Sequence, residues 1–359
     1  MLFCDVLEIK NGRNQRAVED LNGKYPIYGS GGVMGHANDY ICDANTVVIG
    51  RKGNINKPIF VEEPFWNVDT AFGLAAKKDV LLPRYLYYFC VNHDFEQHNK
   101  TVTIPSLTKA DLLKIPIELP TLDEQKSTVD RLGMIEAIID LRTRELSTLD
   151  NLIKARFVEM FGDPVSNPKG WEKKALSDEA DIKIGPFGSL LHKEDYVSGG
   201  HALVNPSHIV DGKISTDDNL TLTDEKYEEL SAYHLLPGDV VMGRRGEMGR
   251  CAVVEQAGLL CGTGSLLIRT KGDLSADYIQ KIISFPSFKQ TIEDMAVGQT
   301  MPNLNVPIVS RFQIIKPPKS VQDEYYAFVA QADKSKDAVQ KALNEAQLLF
   351  DSLMQQYFG

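Results

Sequence analysis

Hydrophobic positions follow two different periods along this chain, and the change of period divides it into alternating segments. Short apolar runs bounded by Gly, Asn and Pro fill residues 1–119 and 163–316, a pattern typical of β-strands joined by turns. The clearest predicted strands are Thr46–Ile49, Pro58–Val61, Asp239–Met242 and Ser265–Ile268. Short helices are predicted at Pro83–Asn92 and Ala276–Phe285. Both segments are therefore expected to be β-rich with a few helices.

The stretch from Leu122 to Met160 has the heptad pattern of a coiled coil. It contains no proline and one glycine, and apolar residues recur at every seventh position. The repeated positions are Leu132, Ile139, Leu146, Ile153 and Met160, with Ile135 and Leu149 in the alternate seam position. We predict a single long helix over residues 120–162.

A second heptad pattern occupies residues 317–359 and ends the chain. Its positions are Val329, Leu343, Phe350 and Tyr357, with Ala332, Val339, Ala346 and Leu353 between them and Lys336 as an interruption. Each apolar seam needs a partner to be buried, so we expect the two helices to pack together as an antiparallel coiled coil. At ~1.5 Å per residue each would be roughly 55–60 Å long, which suits a rigid spacer.

The alternation of segments is an internal repeat. Val47–Gly53 recurs as Val240–Gly246 with five of seven residues identical. Ile104–Leu107 resembles Met301–Leu304, and the similarity then continues without a gap to Gly359. Two prolines and a glycine in the linker 163–170 separate the copies. We predict an α+β protein with two tandem β-rich domains, each followed by a long helix, and a pseudo-two-fold relation between the copies.

Composition limits the classes of function. The net charge of −10 argues against a protein that grips nucleic acid by bulk electrostatics, so any DNA binding must use local basic patches or basic partner subunits. The five cysteines form no C-x-x-C pair and are odd in number, which indicates reduced thiols. No stretch resembles a membrane helix or a signal peptide. We therefore expect a soluble cytoplasmic protein.

Catalytic motifs are missing from the sequence. There is no phosphate-binding G-x-x-x-x-G-K-[ST] loop, no Asn/Asp-Pro-Pro-Tyr/Phe string of an amino-methyltransferase and no H-E-x-x-H. Gly29–Gly35 departs from the dinucleotide pattern G-x-G-x-x-G at Met34. Glu8–Lys10 has the E-x-K form of some nucleases, but its echo at Asp181–Lys183 favours a structural role as a strand start. We predict no catalytic residue, no metal and no cofactor in this chain.

Two units that each close in Pro-x-x-x-x-Gln and a long helix ending Phe-Gly resemble the specificity subunits of Type I restriction-modification systems. The resemblance covers essentially the whole chain. The strings that support it, in order, are Tyr25–Gly32, Thr46–Gly53, Pro64–Ala71 and Trp171–Lys173.

This resemblance implies two target-recognition domains, at residues 1–119 and 163–316, each reading one half of a bipartite, asymmetric double-stranded DNA target. The helices at 120–162 and 317–359 would hold the halves apart and dock two methyltransferase subunits. Restriction subunits with translocase and endonuclease activity would then join this complex. S-adenosylmethionine, ATP and magnesium would belong to those partners, and this non-catalytic chain would direct DNA methylation and defence against foreign DNA, away from any membrane.

Basic and small residues at predicted turns are the candidates for contact with DNA. Arginine suits guanine edges or phosphate, lysine suits phosphate, glutamine can read adenine, and small residues permit close backbone approach. The candidates are Tyr28, Ser30, Gly31, Arg51, Lys52, Asn54 and Lys57 in the first copy, and Lys183, Ser189, Arg244, Arg245, Arg250 and Gln299 in the second. The candidate partner and coiled-coil positions are Leu132, Ile135, Ile139, Leu146, Leu149, Ile153, Leu343, Phe350 and Leu353.

Two other functions remain open at this point. A coiled-coil adaptor would bind partner helices and ignore DNA, and its basic turns would be ordinary solvated hairpins. A stand-alone nuclease or methyltransferase would need a metal or cofactor constellation, and activity of the purified chain with magnesium or S-adenosylmethionine would reveal it.

Overall fold

A computed structural model describes residues 1–100, 104–296 and 303–359. The chain divides into two compact units, the first made of Met1–Ser147 with Lys336–Gly359 and the second of Thr148–Ser335. Each unit holds a mixed α and β part together with portions of two long helices.

The described residues of the first unit form one antiparallel sheet and one mixed sheet. Its strands are β1 (Leu7–Asn11), β2 (Tyr25–Gly29), β3 (Gly32–Ala37), β4 (Thr46–Gly50), β5 (Ile59–Val61), β6 (Trp66–Asn67) and β7 (Ala71–Ala76). One sheet has the order β1-β7-β4-β5 and is antiparallel throughout, and the other has the order β3-β2-β6 with β2 and β6 parallel.

Strand β4 is buried on both faces, which explains its continuous run of apolar residues. Val47 and Ile49 belong to one hydrophobic cluster together with Leu86, whereas Val48 belongs to a second cluster with Phe65. The predicted strand at Thr46–Ile49 is confirmed, with one further residue at its end.

The helices of the globular part of the first unit are α1 (Phe3–Val6), α2 (Pro83–Asn92) and α3 (Lys109–Leu112), with a 3-10 turn at Phe95–His98. Helix α2 has the predicted bounds. It begins at Pro83 because proline fits the first helical position, where its missing N–H would be unpaired in any case. Tyr85 and Leu86 are buried against the sheet, and Tyr88 is buried in a separate cluster with Leu132.

The second unit contains more strands. They are β8 (Glu172–Ala175), β9 (Ala180–Ile184), β10 (Tyr196–Val197), β11 (His201–Val204), β12 (Ile209–Val210), β13 (Lys213–Ile214), β14 (Thr221–Leu222), β15 (His234–Leu235), β16 (Asp239–Gly243), β17 (Cys251–Val253), β18 (Leu259–Cys261), β19 (Ser265–Thr270) and β20 (Gln313–Lys316). Their sheets have the orders β17-β16-β19-β9, β10-β14-β11-β18-β15, β12-β13 and β20-β8.

The order β9-β19-β16-β17 repeats the order β1-β7-β4-β5 of the first unit, and all of its pairs are antiparallel as well. Central strand β16 is buried on both faces in the way that β4 is. The internal repeat seen in the sequence is therefore a repeat of sheet topology, and the other described strands of the second unit form three further sheets.

The helices of the second unit are α5 (Leu176–Glu179), α6 (Asp224–Glu229), α7 (Ala276–Ile283), α8 (Pro286–Met295) and α9 (Val306–Ser310), with 3-10 turns at Gly188–Leu190, Lys193–Asp195, Pro206–His208 and Ser231–Tyr233. The single helix predicted at Ala276–Phe285 is wrong at its end. Helix α7 ends at Ile283, and Phe285 is extended, with φ −68° and ψ 136°. Proline disfavours the helical conformation in the residue before it, so α7 ends before Phe285 and Pro286 starts a new helix.

Two helices of 40 residues, α4 (Leu122–Phe161) and α10 (Lys319–Phe358), complete the chain. In the first unit Arg131 Nη1 donates to Tyr357 Oη at 3.1 Å. In the second unit Arg156 Nη2 pairs with Glu324 Oε1 at 2.8 Å. Early residues of α4 thus meet late residues of α10, and later residues of α4 meet early ones. The predicted α+β class with two long helices packed together is confirmed.

The heptad positions lie on the packed side of the helices. Leu132, Ile135 and Ile153 are buried, at 0%, 8% and 8% exposure. The others are half-buried, namely Ile139, Leu146, Leu149, Leu343, Phe350 and Leu353. None of the described helices combines the length and the apolar character needed to cross a membrane.

Candidate nucleic-acid interface

The loop after β4 presents Arg51 from a fixed backbone. The Arg51 N–H donates to Thr70 O at 2.8 Å, and its carbonyl accepts from the Leu107 N–H at 2.9 Å. The side chain is exposed, with Nη1 3.4 Å from Asp69 O and the guanidinium 5.8 Å from the centre of the Phe72 ring. Because backbone groups hold the loop, the charged end of Arg51 is left available to solvent or to a ligand.

Glycines allow this loop to pack tightly against the turn at Ser30. A Cβ on Gly50 would lie 2.3 Å from Asn54 O and 3.1 Å from Ser30 Cβ, so no larger residue fits. Gly53 has a φ of +80°, which glycine adopts without strain. A Cβ on Gly31 would lie 3.8 Å from Asn54 Nδ2. The structure therefore brings Ser30, Gly31 and Asn54 together beside the Arg51 loop.

The equivalent loop of the second unit is held by the same backbone pattern. The Arg244 N–H donates to Gly264 O at 3.0 Å, and its carbonyl accepts from the Leu304 N–H at 2.9 Å. Gly246 has a φ of +80°, the same value as Gly53.

Arg244 and Arg245 differ in exposure. Arg244 is half-buried, and its Nε donates to Asn303 Oδ1 at 3.0 Å. Burial lowers the pKa of Arg244, and the positive charge of Arg245 lowers it further. Arg245 is exposed and forms an isolated β-bridge with Asn303 through its backbone. Arg244 is thus tied into the loop, whereas the side chain of Arg245 points outside the packed part.

A cavity of about 320 Å³ lies beside Arg51 and adds a cation that the sequence did not reveal. Its lining includes Ser106 and Lys109. Lys109 Nζ donates to Ile9 O at 2.7 Å. The repeat drew attention to the segment before Lys109, but the proximity of this lysine to Arg51 depends on the tertiary fold and has no sequence signal.

Arg250 lies in a second polar cavity, of about 380 Å³, with Lys281 and Lys289. Arg250 Nη2 pairs with Glu247 Oε2 at 2.6 Å, and Lys289 Nζ pairs with Glu247 Oε1 at 3.1 Å. Hydrogen bonds from Arg250 and then from Lys289 lower the pKa of Glu247. Arg250 Nη1 also donates to Pro206 O at 3.2 Å. One carboxylate therefore serves two cations, and the cavity retains a positive excess.

The remaining candidates are spread more widely. Lys183 lies within β9, where Nζ donates to Ala232 O at 3.0 Å, and it is not part of the Arg244 loop. Lys57 is exposed shortly before β5. Tyr28 is half-buried in β2 with its ring 5.4 Å from that of Phe65, and burial raises the pKa of its hydroxyl.

Two candidates have no described side chain. Ser189 belongs to the 3-10 turn Gly188–Leu190, but its side chain lies outside the described residues. Gln299 also lies outside the described residues. Among the described residues, no group of three His, Cys, Asp or Glu side chains is placed to hold a metal ion. What the structure offers to a ligand in both units is therefore a fixed, exposed, cationic loop.

Similarity to known proteins is found in the first part of the sequence. Residues 4–151 match the family model of the Type I restriction modification DNA specificity domain. The Type I restriction enzyme MjaVIII specificity subunit of Methanocaldococcus jannaschii is 25% identical over 140 residues, which cover 38% of this chain and 32% of that protein. The matched part thus spans about a third of that relative's length.

Solved structures are similar over the whole chain. The S subunit of a Type-I restriction-modification system from M. genitalium has a TM-score of 0.63 at 15% identity, covering 100% of this chain and 95% of that one. A chain from a study of complex assembly and conformational transition of the type I R-M system has a TM-score of 0.62 at 14% identity, covering 100% and 96%. At these identities the likeness shows a shared fold. Together with the match of residues 4–151, it confirms the resemblance found in the sequence.

Proposed function

We propose that this chain, whose residues 4–151 match the Type I restriction modification DNA specificity domain, acts as a specificity subunit of a Type I restriction-modification system, and that its two units read the two halves of a bipartite, asymmetric double-stranded DNA target. The observation that carries the proposal is the pair of arginine loops. Arg51 and Arg244 occupy equivalent turns, and in both the backbone N–H and C=O are held by neighbouring chain segments. A rigid loop can place a cation against DNA without first being ordered.

The loops divide into base-reading and phosphate-binding groups. Arg51 and Arg245 have exposed guanidinium groups, whose fork matches the O6 and N7 acceptors of guanine in the major groove. Lys52 and Lys57 are exposed point charges suited to phosphate. Because the two units differ in sequence and in the number of strands, the two half-sites should differ as well.

The surface of α4 supports a role in assembly. Met134, Ile138 and Leu141 are 68%, 46% and 60% exposed and recur at the spacing of one helix face. Exposed apolar residues in a row are typical of a surface that another protein covers. We propose that two modification subunits dock on the long helices and that restriction subunits join them. Methyl transfer and cleavage, with S-adenosylmethionine, ATP and magnesium, belong to those partners.

The net charge of −10 sets the balance between chain and partners. Nonspecific affinity for DNA comes mainly from the neutralisation of phosphates, and an acidic protein supplies little of it. In this proposal the chain contributes sequence specificity through its local cationic loops, while basic surfaces of the partner subunits contribute much of the affinity for DNA.

The test is genome-wide methylation mapped by long-read sequencing in cells that express this chain with a cognate modification subunit. We expect a bipartite methylated motif that disappears when this chain is deleted. A stable complex with the modification subunit and no motif would contradict the proposal and favour the coiled-coil adaptor instead. Methylation or cleavage by the purified chain alone would favour a stand-alone enzyme.

A further inference from the structure

The cavity of about 320 Å³ beside Arg51 is a pocket of hydrogen-bond donors, the Arg51–Lys109 pocket. Amide, hydroxyl, guanidinium and ammonium groups line it, and each of them can donate a hydrogen bond. The described wall holds two cations and no carboxylate, although carboxylates outnumber cations by 49 to 39 in the whole chain. Such a wall suits an anion. The residues on which this depends are Asn11, Arg51, Phe72, Ser106, Thr108 and Lys109.

The charges of both cations are left without a counterion. Lys109 is half-buried, and its Nζ donates to Ile9 O at 2.7 Å. Arg51 is exposed, with Nη1 3.4 Å from Asp69 O. Both acceptors are neutral backbone carbonyls, and among the described residues neither cation has a carboxylate within ion-pair distance. A lysine that loses hydration without gaining a counterion adds little to the stability of a fold.

The second unit shows which residue the fold itself accepts at the position of Lys109. Leu107 and Leu304 are equivalent, because each donates its N–H at 2.9 Å to the carbonyl of the loop arginine in its own unit. Two residues further on, α3 begins at Lys109 and α9 begins at Val306. Both side chains are half-buried. Valine therefore suffices for the fold, and the lysine of the first unit needs another explanation.

A second position of the pocket changes in the same direction. Asn11 lies opposite Phe72 in the β1–β7 pair, and Ile184 lies opposite Leu266 in the equivalent β9–β19 pair. An exposed asparagine in the first unit thus corresponds to an isoleucine in the second. Because the same sheet is built with apolar residues at both positions in the second unit, the polar wall of the pocket is a property of the first unit alone.

The loop arginines differ in what holds their side chains. Arg244 Nε donates to Asn303 Oδ1 at 3.0 Å. Ser106 is the equivalent of Asn303, because both form the isolated β-bridge with the residue that follows the loop arginine. The shorter serine contributes a hydroxyl to the pocket of the first unit. The guanidinium of Arg51 is thereby free to turn toward a ligand, whereas that of Arg244 is bonded within the protein.

We propose that the Arg51–Lys109 pocket binds one phosphate of the DNA backbone in the first half-site, and that Lys109 is the contact that positions Arg51 against the bases. The inference rests on the proposed function. A phosphate oxygen accepts hydrogen bonds, which matches a wall of donors, and phosphate contacts set the register of a protein on the duplex. Asn11 and Thr108 are exposed, so the pocket is open to a phosphate that remains part of a duplex.

The test is the salt dependence of DNA binding by the full-length chain in complex with its modification subunit, measured by fluorescence anisotropy on a duplex that carries the methylated motif. Each neutralised phosphate adds about 0.9 to the slope of log affinity against log salt concentration. Lys109→Gln should therefore make the slope shallower by about 0.9, so that the affinity lost between about 50 and about 200 mM salt is about 3.5-fold smaller. A duplex with scrambled half-sites should lose affinity by the same factor as the motif, because a phosphate contact carries no sequence information.

Uncharged linkages in the DNA locate the phosphate. A methylphosphonate replaces one charged phosphate oxygen with a methyl group. At one linkage of the first half-site it should weaken binding by the unaltered chain at least about threefold and leave Lys109→Gln unaffected, since the contact is already lost there. Lys109→Arg keeps the charge and should restore the slope. Lys78→Gln, at an exposed lysine beyond the other end of β7, is the matched control and should bind as the unaltered chain does.

The outcomes separate this inference from the proposed function. Unchanged slope in Lys109→Gln, whether or not binding is weaker, overturns the pocket as a phosphate site and leaves the proposed function standing. An equal change of slope in Lys78→Gln also overturns it, because overall charge would then be the cause. Lost preference for the motif over the scrambled duplex would show that Lys109 reads a base, which overturns the phosphate assignment.

Two further results complete the test. Failure of the unaltered complex to prefer the motif overturns the proposed function and this inference together. If Lys109→Gln folds poorly, Lys109→Val removes the same charge with a residue that the second unit accepts at this position, and the same change of slope is expected. An unchanged slope in that variant overturns the inference as well.

Discussion

The two arginine loops present their side chains differently, although their backbones are held alike. Arg51 and Arg245 are exposed, whereas Arg244 is half-buried and bonded to Asn303. Arg250 is engaged with Glu247. At the residue scale we therefore expect the exposed arginines to meet DNA and Arg244 to hold the loop in shape.

Reversal of charge at Arg245 should weaken binding to one half-site without loss of assembly. An arginine paired with a guanine edge contributes ~1–3 kcal/mol, so Arg245→Glu should lower DNA affinity roughly ten- to a hundredfold. The double variant with Arg244→Glu and Arg245→Glu should lower DNA affinity at least as much. Fluorescence anisotropy with the methylated motif as probe measures this. Arg311→Glu, an exposed arginine elsewhere in the second unit, is the control, and equal affinity in all three proteins would remove the loop from the interface.

Gly246, at the tip of the Arg244–Arg245 loop, leads to a second prediction. Gly246 and Gly170 have φ values of +80° and +70°, and a Cβ at either position would meet no atom within 4 Å. Alanine at each should therefore cost only backbone strain, about 1 kcal/mol of unfolding free energy. We expect Gly246→Ala to weaken DNA binding as well, because the strain shifts the loop, while Gly170→Ala leaves binding unchanged. Denaturant titration and DNA anisotropy on both variants decide it, and identical binding would argue against a rigid loop.

At the scale of elements, α2 is fixed to the first unit by a polar contact as well as by packing. Glu136 Oε2 accepts from Tyr88 Oη at 2.6 Å and from Arg84 Nη2 at 2.9 Å. Burial and the negative charge of Glu136 raise the pKa of Tyr88, which therefore stays protonated and remains a donor. The contact joins α2 to α4, with the Tyr88 ring fully buried and the charged groups of Arg84 and Glu136 partly exposed.

Tyr88→Phe should destabilise the chain by about 1 kcal/mol, because it removes one hydrogen bond to a charged acceptor and keeps the ring. Tyr87→Phe is the natural comparison, since the neighbouring Tyr87 is half-buried and the same atom is removed from the same helix. We expect its effect to stay within about 0.5 kcal/mol. Thermal and urea unfolding of the two variants measure the difference, and equal stabilities would show that the bond to Glu136 adds nothing.

At the scale of the whole molecule, the uninterrupted length of α4 and α10 is the property on which the proposed separation of half-sites depends. Each has 40 residues and a heptad pattern. A length change in one helix alone would break the register of the pair, so both must change together.

Removal of one heptad from each helix, Ile139–Glu145 and Ala338–Asn344, should shorten the pair by roughly 10 Å while keeping the seam in phase. At about 3.4 Å per base pair, the spacer between methylated half-sites should shrink by about three base pairs. Long-read methylation mapping measures the spacer directly. Deletion of the heptad from α4 alone serves as the comparison and should abolish assembly. An unaltered spacer in the double deletion would show that the helices do not set the distance.

The sequence by itself determined the periodic features of this protein. Heptads from Leu132 to Ile153 predict a long helix because that spacing keeps one stripe of side chains buried, and the recurrence of Val47–Gly53 predicts two related units. Both properties follow from local patterns, which survive without knowledge of any long-range contact. The resemblance to specificity subunits was readable for the same reason.

Tertiary structure decided which side chains meet. Lys109 comes beside Arg51, and Lys289 pairs with Glu247, through contacts between distant segments that no sequence spacing indicates. The physical reason is that a periodic pattern fixes which face of an element is buried, whereas a site is made where the faces of several elements converge.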